Sequence, residues 1–120
     1  MIDVKNIENI FSKINEYWSP HIVGELNGQE VKAAKFKGEF PMHHHDNEDE
    51  MFLVVKGKIL IHFEDHTKEV KEGEFIIIPK GVAHSPYSES ESHVLLFEPA
   101  STLNTGNSVN EFTKSDLKKL

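Results

Sequence analysis

The chain has 120 residues, with 13 lysine and arginine residues against 20 aspartate and glutamate residues, eight histidines, no cysteine and a formal charge of −7. This length predicts a single domain over residues 1–120, the missing cysteines exclude disulfides and thiolate chemistry, and the acidic charge disfavours nucleic acid and anionic membranes as partners. No apolar run is long enough to span a bilayer and the N-terminal residues lack a leader-peptide pattern, so we expect a cytoplasmic protein.

The first predicted element is an amphipathic helix over residues 4–18, because apolar residues recur there at helical spacing. Asp3 and Asn6 are both candidates for its N-cap, and Pro20 is expected to end it. The apolar residues of this helix are Ile7, Ile10, Phe11, Ile14 and Trp18.

After Pro20 the apolar period changes to two, which predicts short antiparallel strands forming a sandwich or a barrel over residues 21–98. Asn27-Gly28 predicts a type I′ hairpin turn, since both residues tolerate a positive φ. The predicted strands are Ile22–Leu26, Val31–Phe36, Met51–Val55, Ile59–Phe63, a short strand ending at Val70, Phe75–Ile78 and Val94–Phe97.

Two segments carry no clear apolar pattern. Ser88-Glu89-Ser90-Glu91-Ser92 predicts a polar loop. Residues 99–120 form a C-terminal tail, of which residues 115–120 are expected to form a short helical turn or to fray.

Four of the eight histidines lie in two short segments, and this clustering is the main functional signal of the sequence. His43, His44 and His45 are consecutive, Glu50 follows closely, and His84 comes after a Pro-x-Gly turn. Side chains alternate on an extended chain, so we expect His43 and His45 to face one side, with Cα atoms about 7 Å apart, and His44 to face the other.

Three imidazoles and one carboxylate form a set of borderline nitrogen and oxygen donors. Such a set suits Fe(II), Mn, Co, Ni or Zn and does not suit Ca or Mg. The sequence therefore predicts one divalent transition metal ion held by His43, His45, Glu50 and His84. On an ion that prefers five or six ligands, four protein ligands leave one or two coordination positions open, which is typical of a catalytic site and not of a closed structural site.

These residues form two motifs, in the right order, that resemble those of the cupin superfamily. The first is Gly38-x4-His43-x-His45-x4-Glu50-x6-Gly57, and the second is Gly73-x5-Pro79-x-Gly81-x2-His84. The resemblance implies an all-β jelly-roll barrel, preceded here by the N-terminal helix, and makes the same four residues the metal ligands. Gly57 and Gly81 lie where tight turns with a positive φ are expected.

The chain departs from the motifs at two positions. Four residues separate Gly38 from His43, where the family usually has five, and Ser88 stands where an asparagine is usual. A narrower resemblance is to small single-domain cupins called mannose-6-phosphate isomerase-like, in which Glu98-Pro99 followed by Asn104-Thr105-Gly106 also recurs. Cupins include isomerases, dioxygenases, decarboxylases, sensor domains and storage proteins, so the fold does not fix the function.

The sequence favours a metal-dependent enzyme that acts on a small polar metabolite, either by isomerising a sugar or sugar phosphate or as an Fe(II) oxygenase. The alternative is a barrel that binds a small ligand without turnover, or one in which the metal is structural. A transcriptional sensor would have to act through another protein.

Few residues are candidates for proton transfer or for binding an anion. Tyr87, His93, Glu48 and Asp49 are the acid–base candidates, and Lys80 is a candidate for meeting an anionic substrate. His21, His62 and His66 are expected to be surface or packing residues. The expected apolar wall of the site comprises Phe36, Met42, Phe52, Val54, Ile61, Phe63 and Ile77.

We also expect a homodimer. An open sheet edge and the apolar helix face of Ile7, Ile10 and Ile14 would allow it, and cupins of this size resemble dimers that exchange N-terminal or edge strands.

Overall fold

A computed structural model describes residues 2–120 and shows a short helix followed by seven antiparallel strands. The expected all-β class with an N-terminal helix is confirmed. Within residues 2–120, no helix is long and apolar enough to cross a membrane. The elements are α1 (Ile7–Ser12), β1 (His21–Leu26), β2 (Gln29–Glu39), β3 (Glu50–Lys56), β4 (Lys58–His62), β5 (Thr67–Lys71), β6 (Phe75–Ile78) and β7 (Ser85–Pro99).

The predicted hairpin between β1 and β2 is confirmed. Asn27 and Gly28 have φ values of 52° and 78°, so both central residues of the turn are left-handed as a type I′ turn requires. The predicted positive φ is also found at Gly57 (88°) and Gly81 (82°). At Gly57 a Cβ atom would lie 3.1 Å from the Cβ of Ser92, so the turn between β3 and β4 leaves little room for a side chain.

The long strand β7 joins the two sides of the sheet. The order of the main path is β1-β2-β7-β3-β6, while β4 pairs with β5 and with β7. The first residues of β7, Ser85–Tyr87, pair with β4, and its later residues, His93–Phe97, pair with β3. One strand therefore forms part of both walls, and side chains on its inner face reach the interior at both ends.

The predicted polar loop over residues 88–92 is wrong, because these residues lie inside β7. Their alternation of serine and glutamate is itself a strand pattern, with Ser88 and Ser92 buried and bonded to each other at 2.9 Å. Gly38 pairs with Ser88 and Phe36 with Ser92, so one residue of β2 faces three of β7. This bulge accommodates the polar segment within the strand.

Helix α1 is shorter than predicted. Its N-cap is Asn6, whose side chain accepts from the amide of Asn9, and it ends at Ser12, well before Pro20. Trp18, predicted to lie on the helix, instead has a φ of 57° and donates its main-chain amide to Lys35 of β2. Tertiary packing overrides the helical pattern here, because the indole packs inside the barrel.

The hydrophobic core has two parts. The larger lies inside the barrel and includes Trp18, whose ring stacks on Phe36 at 4.3 Å. The smaller lies between α1 and the outer face of the sheet. Its buried residues are Ile10, Phe11, Ile14, Val23 and Ala33. The helix face expected to support dimerisation comprises Ile7, Ile10 and Ile14. Ile10 and Ile14 pack against the sheet of the same chain, and only Ile7 is exposed.

The C-terminal tail is anchored, so the expectation that residues 115–120 form a helical turn or fray is wrong. The amide of Ile22 donates to the carbonyl of Lys118 at 2.8 Å, and the amide of Leu120 donates to the carbonyl of Ile22 at 2.9 Å. These bonds place the end of the chain beside β1. Main-chain hydrogen bonds to β1, and not apolar side chains, hold the end of the chain, so the apolar pattern of the sequence does not predict this contact.

Candidate metal centre

Main-chain hydrogen bonds join the two segments that contain the histidines. The amide of His43 donates to the carbonyl of His84 at 3.0 Å, and the amide of His84 donates back at 2.8 Å. Gly81 donates its amide to the carbonyl of His45 at 2.7 Å. Although residues 43–45 lie outside the seven strands, the predicted alternation is present: His43 and His45 are buried, and His44 points outward to Asp46.

Four side chains converge inside the barrel. One donor atom from each of His43, His45, Glu50 and His84 lies within 4.8 Å of the others, and all four residues are buried. Nε2 of His84 lies 3.2 Å from Oε1 of Glu50, and Nε2 of His45 lies 3.5 Å from the same oxygen. The structure thus brings together the same four residues that the sequence singles out.

The rings of His43 and His84 are oriented so that Nε2 of each can bind a cation. Nδ1 of His43 donates to the carbonyl of Pro41 at 2.8 Å, and Nδ1 of His84 donates to the carbonyl of Val82 at 2.9 Å. Because a carbonyl only accepts, Nδ1 carries the proton in both rings and Nε2 keeps its lone pair.

His45 provides the clearest test of whether a metal fits. Both of its ring nitrogens are buried, and neither has a hydrogen-bond partner within residues 2–120. A buried polar atom without a partner is costly, and a cation bound to Nε2 would be such a partner. The donors, their burial and this unpaired imidazole fit a divalent transition metal ion.

The electrostatics of the cluster favour the protonation states that bind metals. Burial tends to raise the pKa of Glu50, but the neighbouring side chains of Glu98, His45 and His84 outweigh it and hold the pKa well below its usual range. Burial, reinforced by the nearby His84, lowers the pKa of His43 to about 4 despite its bond to Pro41. At neutral pH Glu50 is therefore ionised and His43 is neutral.

A buried ion pair lies behind Glu50. Nζ of Lys32 is 2.8 Å from Oε1 of Glu98 and 3.7 Å from Oε1 of Glu30, and the Lys32 and Glu98 side chains are each 2% exposed. Burial and the charge of Glu50 raise the pKa of Glu98 well above its usual range, against the opposite effect of Lys32. The other oxygen of Glu98, Oε2, is buried without a donor among the described residues. A bond between Glu98 and Glu50 forms only when one of the two carboxyls carries a proton.

Sequence reasoning missed this pair as part of the site, although strand alternation carried the signal. Val94, Leu96 and Glu98 occupy every second position of β7, and all three are buried. An acidic residue that continues a buried face of a strand is unusual without a partner. The partner is Lys32 of β2, which pairs with Leu96 of β7.

A small cavity opens beside the cluster. Its polar lining includes His43, Glu50, Glu98 and Asn104. The cavity volume that the centre of a water molecule can occupy is about 30 Å³. This is room for a ligand of a few heavy atoms. Its apolar lining comprises Trp18, Pro20, Phe36, Phe40, Phe52, Pro86 and Leu96.

The predicted apolar wall is only partly right. Phe36, Phe52, Val54 and Ile61 are buried in the barrel and Phe63 packs against them. Met42 and Ile77, in contrast, are exposed. Ile77 pairs with Met51 across β6 and β3 on the outer face of the sheet, and Met42 precedes His43 by one residue, so that alternation turns its side chain outward.

None of the predicted acid–base candidates lines the cavity. His93 stacks on Phe11 beneath helix α1, at 4.6 Å, and Tyr87 lies beside His62 with ring centroids 6.0 Å apart. The predicted anion-binding residue Lys80 is exposed and donates its main-chain amide to Asp49.

Glu48 is bonded away from the cavity, whereas the histidines expected to be surface or packing residues are found as such. Glu48 accepts from the hydroxyl of Ser101 at 2.9 Å. His21 is buried against the carbonyl of Ser19, while His62 and His66 are bonded to neighbouring side chains and lie outside the cluster.

The C-terminal segment packs on residues 43–45, the histidine loop, and contributes to the lining of the cavity. Asn107 donates its main-chain amide to the carbonyl of His44, and its side-chain oxygen accepts from the amide of His44, each at 2.9 Å. Asn104 lines the cavity and donates to the carbonyl of Phe112, whose ring packs edge-on against Phe40 at 5.3 Å. The tail is thus part of the site, which its lack of periodicity did not reveal.

The antiparallel barrel and the buried cluster define a protein with an interior site suited to a metal ion. Residues 30–98 match the model of the family described as Cupin domain, and the chain therefore belongs to the cupin family. The jelly-roll fold implied by the motifs is confirmed by a cupin-2 domain protein of Shewanella frigidimarina, with a TM-score of 0.79 and 38% identity over 80% of this chain and 94% of that one.

The chain is also similar to other proteins. The chain is 35% identical over 85 residues to the uncharacterized protein YdbB of Bacillus subtilis, covering 70% of this chain and 75% of that protein. It is 28% identical to the auxin-binding protein ABP19b of Prunus persica, of which it spans 59%. A chain of the hydroquinone 1,2-dioxygenase PnpCD shares the fold, with a TM-score of 0.67 and 16% identity over 80% of this chain and 72% of that one.

Proposed function

We propose that this cupin is a metal-dependent enzyme that acts on a small polar metabolite, with one divalent transition metal ion held by His43, His45, Glu50 and His84. The observation that carries the proposal is the convergence of these four buried donors beside a cavity. A closed structural site would have no need of an adjoining cavity, whereas a catalytic site requires space at an open coordination position.

The protein contributes orientation and exclusion of water. The carbonyls of Pro41 and Val82 fix two imidazoles, and the aromatic wall of the cavity limits how much water accompanies a ligand. When bound, a metal ion of the group Fe, Mn, Co, Ni or Zn would supply Lewis-acid polarisation of a substrate oxygen. Bound iron would, in addition, allow an oxygenase reaction.

Two reaction classes fit this site. Isomerisation of a sugar or sugar phosphate rests on the motif resemblance to mannose-6-phosphate isomerase-like proteins. An oxygenase step is supported by the fold shared with the dioxygenase PnpCD, at the level of architecture. A second candidate function, binding of a small ligand without turnover, is favoured by the position of Tyr87 and His93 away from the cavity.

The test is elemental analysis of untagged protein, purified without chelator or immobilised-metal resin, beside the His84→Ala variant. We expect near-stoichiometric transition metal in the natural protein and loss of it in the variant. Iron would direct assays to oxygenase chemistry, and the other metals to isomerisation. Little metal in either sample, unchanged after incubation with each ion, would overturn the proposal.

We further propose that the protein is a homodimer formed through the outer face of the sheet. Val31, Phe97, Met51 and Ile77 form one row across four paired strands. A second row runs through Leu95, Leu53 and Phe75. Val31 and Leu95 pack against the residues under helix α1, so the part of this face that is open to a second copy lies on β3 and β6. Phe75 and Ile77 are more than half exposed, and they lie on β6 at the end of the sheet path. An apolar face of this kind is typical of an interface between copies.

Sedimentation at micromolar concentration tests the dimer. We expect the dimer mass for the natural protein and the monomer mass for the Ile77→Lys variant, with metal content unchanged because Ile77 lies outside the cavity. The Val109→Lys variant is the matched control, since Val109 is an exposed apolar residue of the C-terminal segment and belongs to neither row. A monomer mass for the natural protein would contradict the proposal.

A further inference from the structure

We propose that Asn104 is a ligand-binding residue of this site, which donates a hydrogen bond from Nδ2 to an oxygen atom of the substrate. This role rests on the metal-dependent function proposed above and narrows its substrate class to small molecules with at least two oxygen atoms. One oxygen faces the metal-binding side chains, and the other accepts the bond from Asn104. Three observations carry the proposal: the position of Asn104, the fixed orientation of its amide, and the lack of another free nitrogen donor in the cavity wall.

Asn104 lies in the wall of the same cavity as two of the metal-binding side chains, those of His43 and Glu50. The volume that the centre of a water molecule can occupy there is about 30 Å³. This is space for roughly two or three water-sized groups. A ligand that contacts the metal-binding side chains therefore also lies close to Asn104.

Two main-chain hydrogen bonds fix the orientation of the Asn104 amide. Its Nδ2 donates to the carbonyl of Phe112, and its Oδ1 accepts from the amide of Lys114, each at 2.8 Å. The two partners show which end of the side-chain amide is nitrogen and which is oxygen. The amide is thus held in one orientation before a ligand binds, which reduces the conformational entropy lost on binding.

The Asn104 amide keeps one donor in reserve. A side-chain amide nitrogen carries two hydrogens, and the bond to Phe112 uses one of them. Within residues 2–120, Nδ2 makes no second hydrogen bond. The remaining hydrogen is available to an oxygen atom of a ligand in the cavity.

The other side-chain nitrogens of the cavity wall have no hydrogen to offer. Nε1 of Trp18 donates its single hydrogen to the carbonyl of Lys37. Nδ1 of His43 donates to the carbonyl of Pro41, so Nε2 of this ring carries a lone pair and no hydrogen. Among the described residues that line the cavity, Asn104 is therefore the side chain whose nitrogen can donate to a ligand.

The test uses protein loaded with Co(II), whose visible spectrum changes when a ligand enters the site, and two small probes. Acetate carries one negative charge and two oxygen atoms. Ethanethiol binds metals as its thiolate, which has the same charge and no oxygen. We expect Asn104→Ala to weaken acetate binding at least about tenfold and ethanethiol binding less than about twofold, because only acetate accepts a bond from Nδ2.

Three results would overturn the assignment to Asn104. The first is unchanged acetate binding in Asn104→Ala. The second is equal weakening of both probes, which would mean that Asn104 acts only by holding the C-terminal segment in place. The third is a natural Co(II) protein that binds ethanethiol but not acetate.

Asn110→Ala is the matched control. Oδ1 of Asn110 also accepts a main-chain bond within the C-terminal segment, from the amide of Phe112 at 2.8 Å, but Asn110 does not line the cavity. Acetate affinity in this variant should stay within about twofold of the natural value. A loss of acetate binding as large as that in Asn104→Ala would assign the effect to the segment and not to the Asn104 amide.

A crystal structure of the natural protein with Co(II) and acetate decides the matter even where a variant does not fold. We expect one acetate oxygen at about 2.7–3.2 Å from Nδ2 of Asn104. Acetate bound without contact to this nitrogen would overturn the proposal.

The outcomes separate the role of Asn104 from the proposed function. Failure of the natural protein to take up Co(II) would overturn the metal site and the role of Asn104 with it. Uptake of Co(II), with acetate binding that does not depend on Asn104, would leave the metal site standing and overturn only the role of this residue.

Discussion

Gly106 lies directly against the main-chain carbonyl of His44. Its φ is 56°, and a Cβ atom there would clash with that carbonyl and come within 3.0 Å of the ring of His43. We therefore predict that Gly106→Ala pushes the C-terminal segment off the histidine loop and weakens metal affinity by about tenfold or more, because ligand positions must hold to a fraction of an ångström.

Competition with a chromophoric chelator measures this affinity. Gly24→Ala is the matched control, since a Cβ atom at Gly24 meets nothing within 4 Å. If Gly106→Ala bound metal as tightly as Gly24→Ala, the C-terminal segment would have no part in shaping the site.

The three consecutive histidines should differ in their importance. His45→Ala and His84→Ala are expected to abolish most metal binding, since each removes a buried donor of the cluster. His44→Ala should leave metal content nearly unchanged, because its Nε2 lies 2.9 Å from Asp46 on the outside and its main chain keeps its bonds to Asn107. Metal analysis of the three variants, purified in parallel, provides the comparison, and equal losses would refute the alternation of side chains.

The site could be predicted from the sequence where local rules decide it. Alternation predicts that the side chain of His44 faces away from those of His43 and His45, and the turn at Gly81 predicts that His84 begins a new extended segment. The four ligand candidates can therefore be identified from short segments of the sequence. Trp18 and the C-terminal segment could not be placed in this way, because their positions depend on contacts far apart in sequence. Trp18 pairs with Lys35 and Asn107 with His44, and no local pattern encodes either contact.

Two neighbouring aromatic residues should contribute very differently to stability. Trp18 is buried against Phe36 and Phe40, and its indole nitrogen donates to the carbonyl of Lys37 at 2.9 Å. We predict that Trp18→Ala lowers the free energy of unfolding by about 3–5 kcal/mol, as for other buried aromatic truncations. Tyr17→Ala should lower it by less than about 1 kcal/mol, because Tyr17 is exposed. Urea unfolding of both variants measures the difference, and similar losses would place Trp18 outside the core.

The stability of the metal-free protein should depend on pH through His43. Its pKa is about 4 in the folded protein against 6.5 for an ordinary histidine. Between these values the unfolded chain binds a proton that the folded protein does not, so the free energy of unfolding falls as the pH is lowered through this window. The shift corresponds to about 3 kcal/mol in total, of which about 2 kcal/mol is lost by pH 5.

Glu98 acts in the opposite sense, because its raised pKa lets the folded protein hold a proton that the unfolded chain has released. The measurement is therefore a difference. Urea unfolding of chelator-treated natural protein and of the His43→Gln variant is compared at pH 7 and pH 5. The natural protein should lose more stability than the variant over this interval, because the variant lacks the imidazole that must be buried neutral. Parallel losses would show that His43 does not titrate in this range, and the cluster would then enter the metal-free fold in a different protonation state.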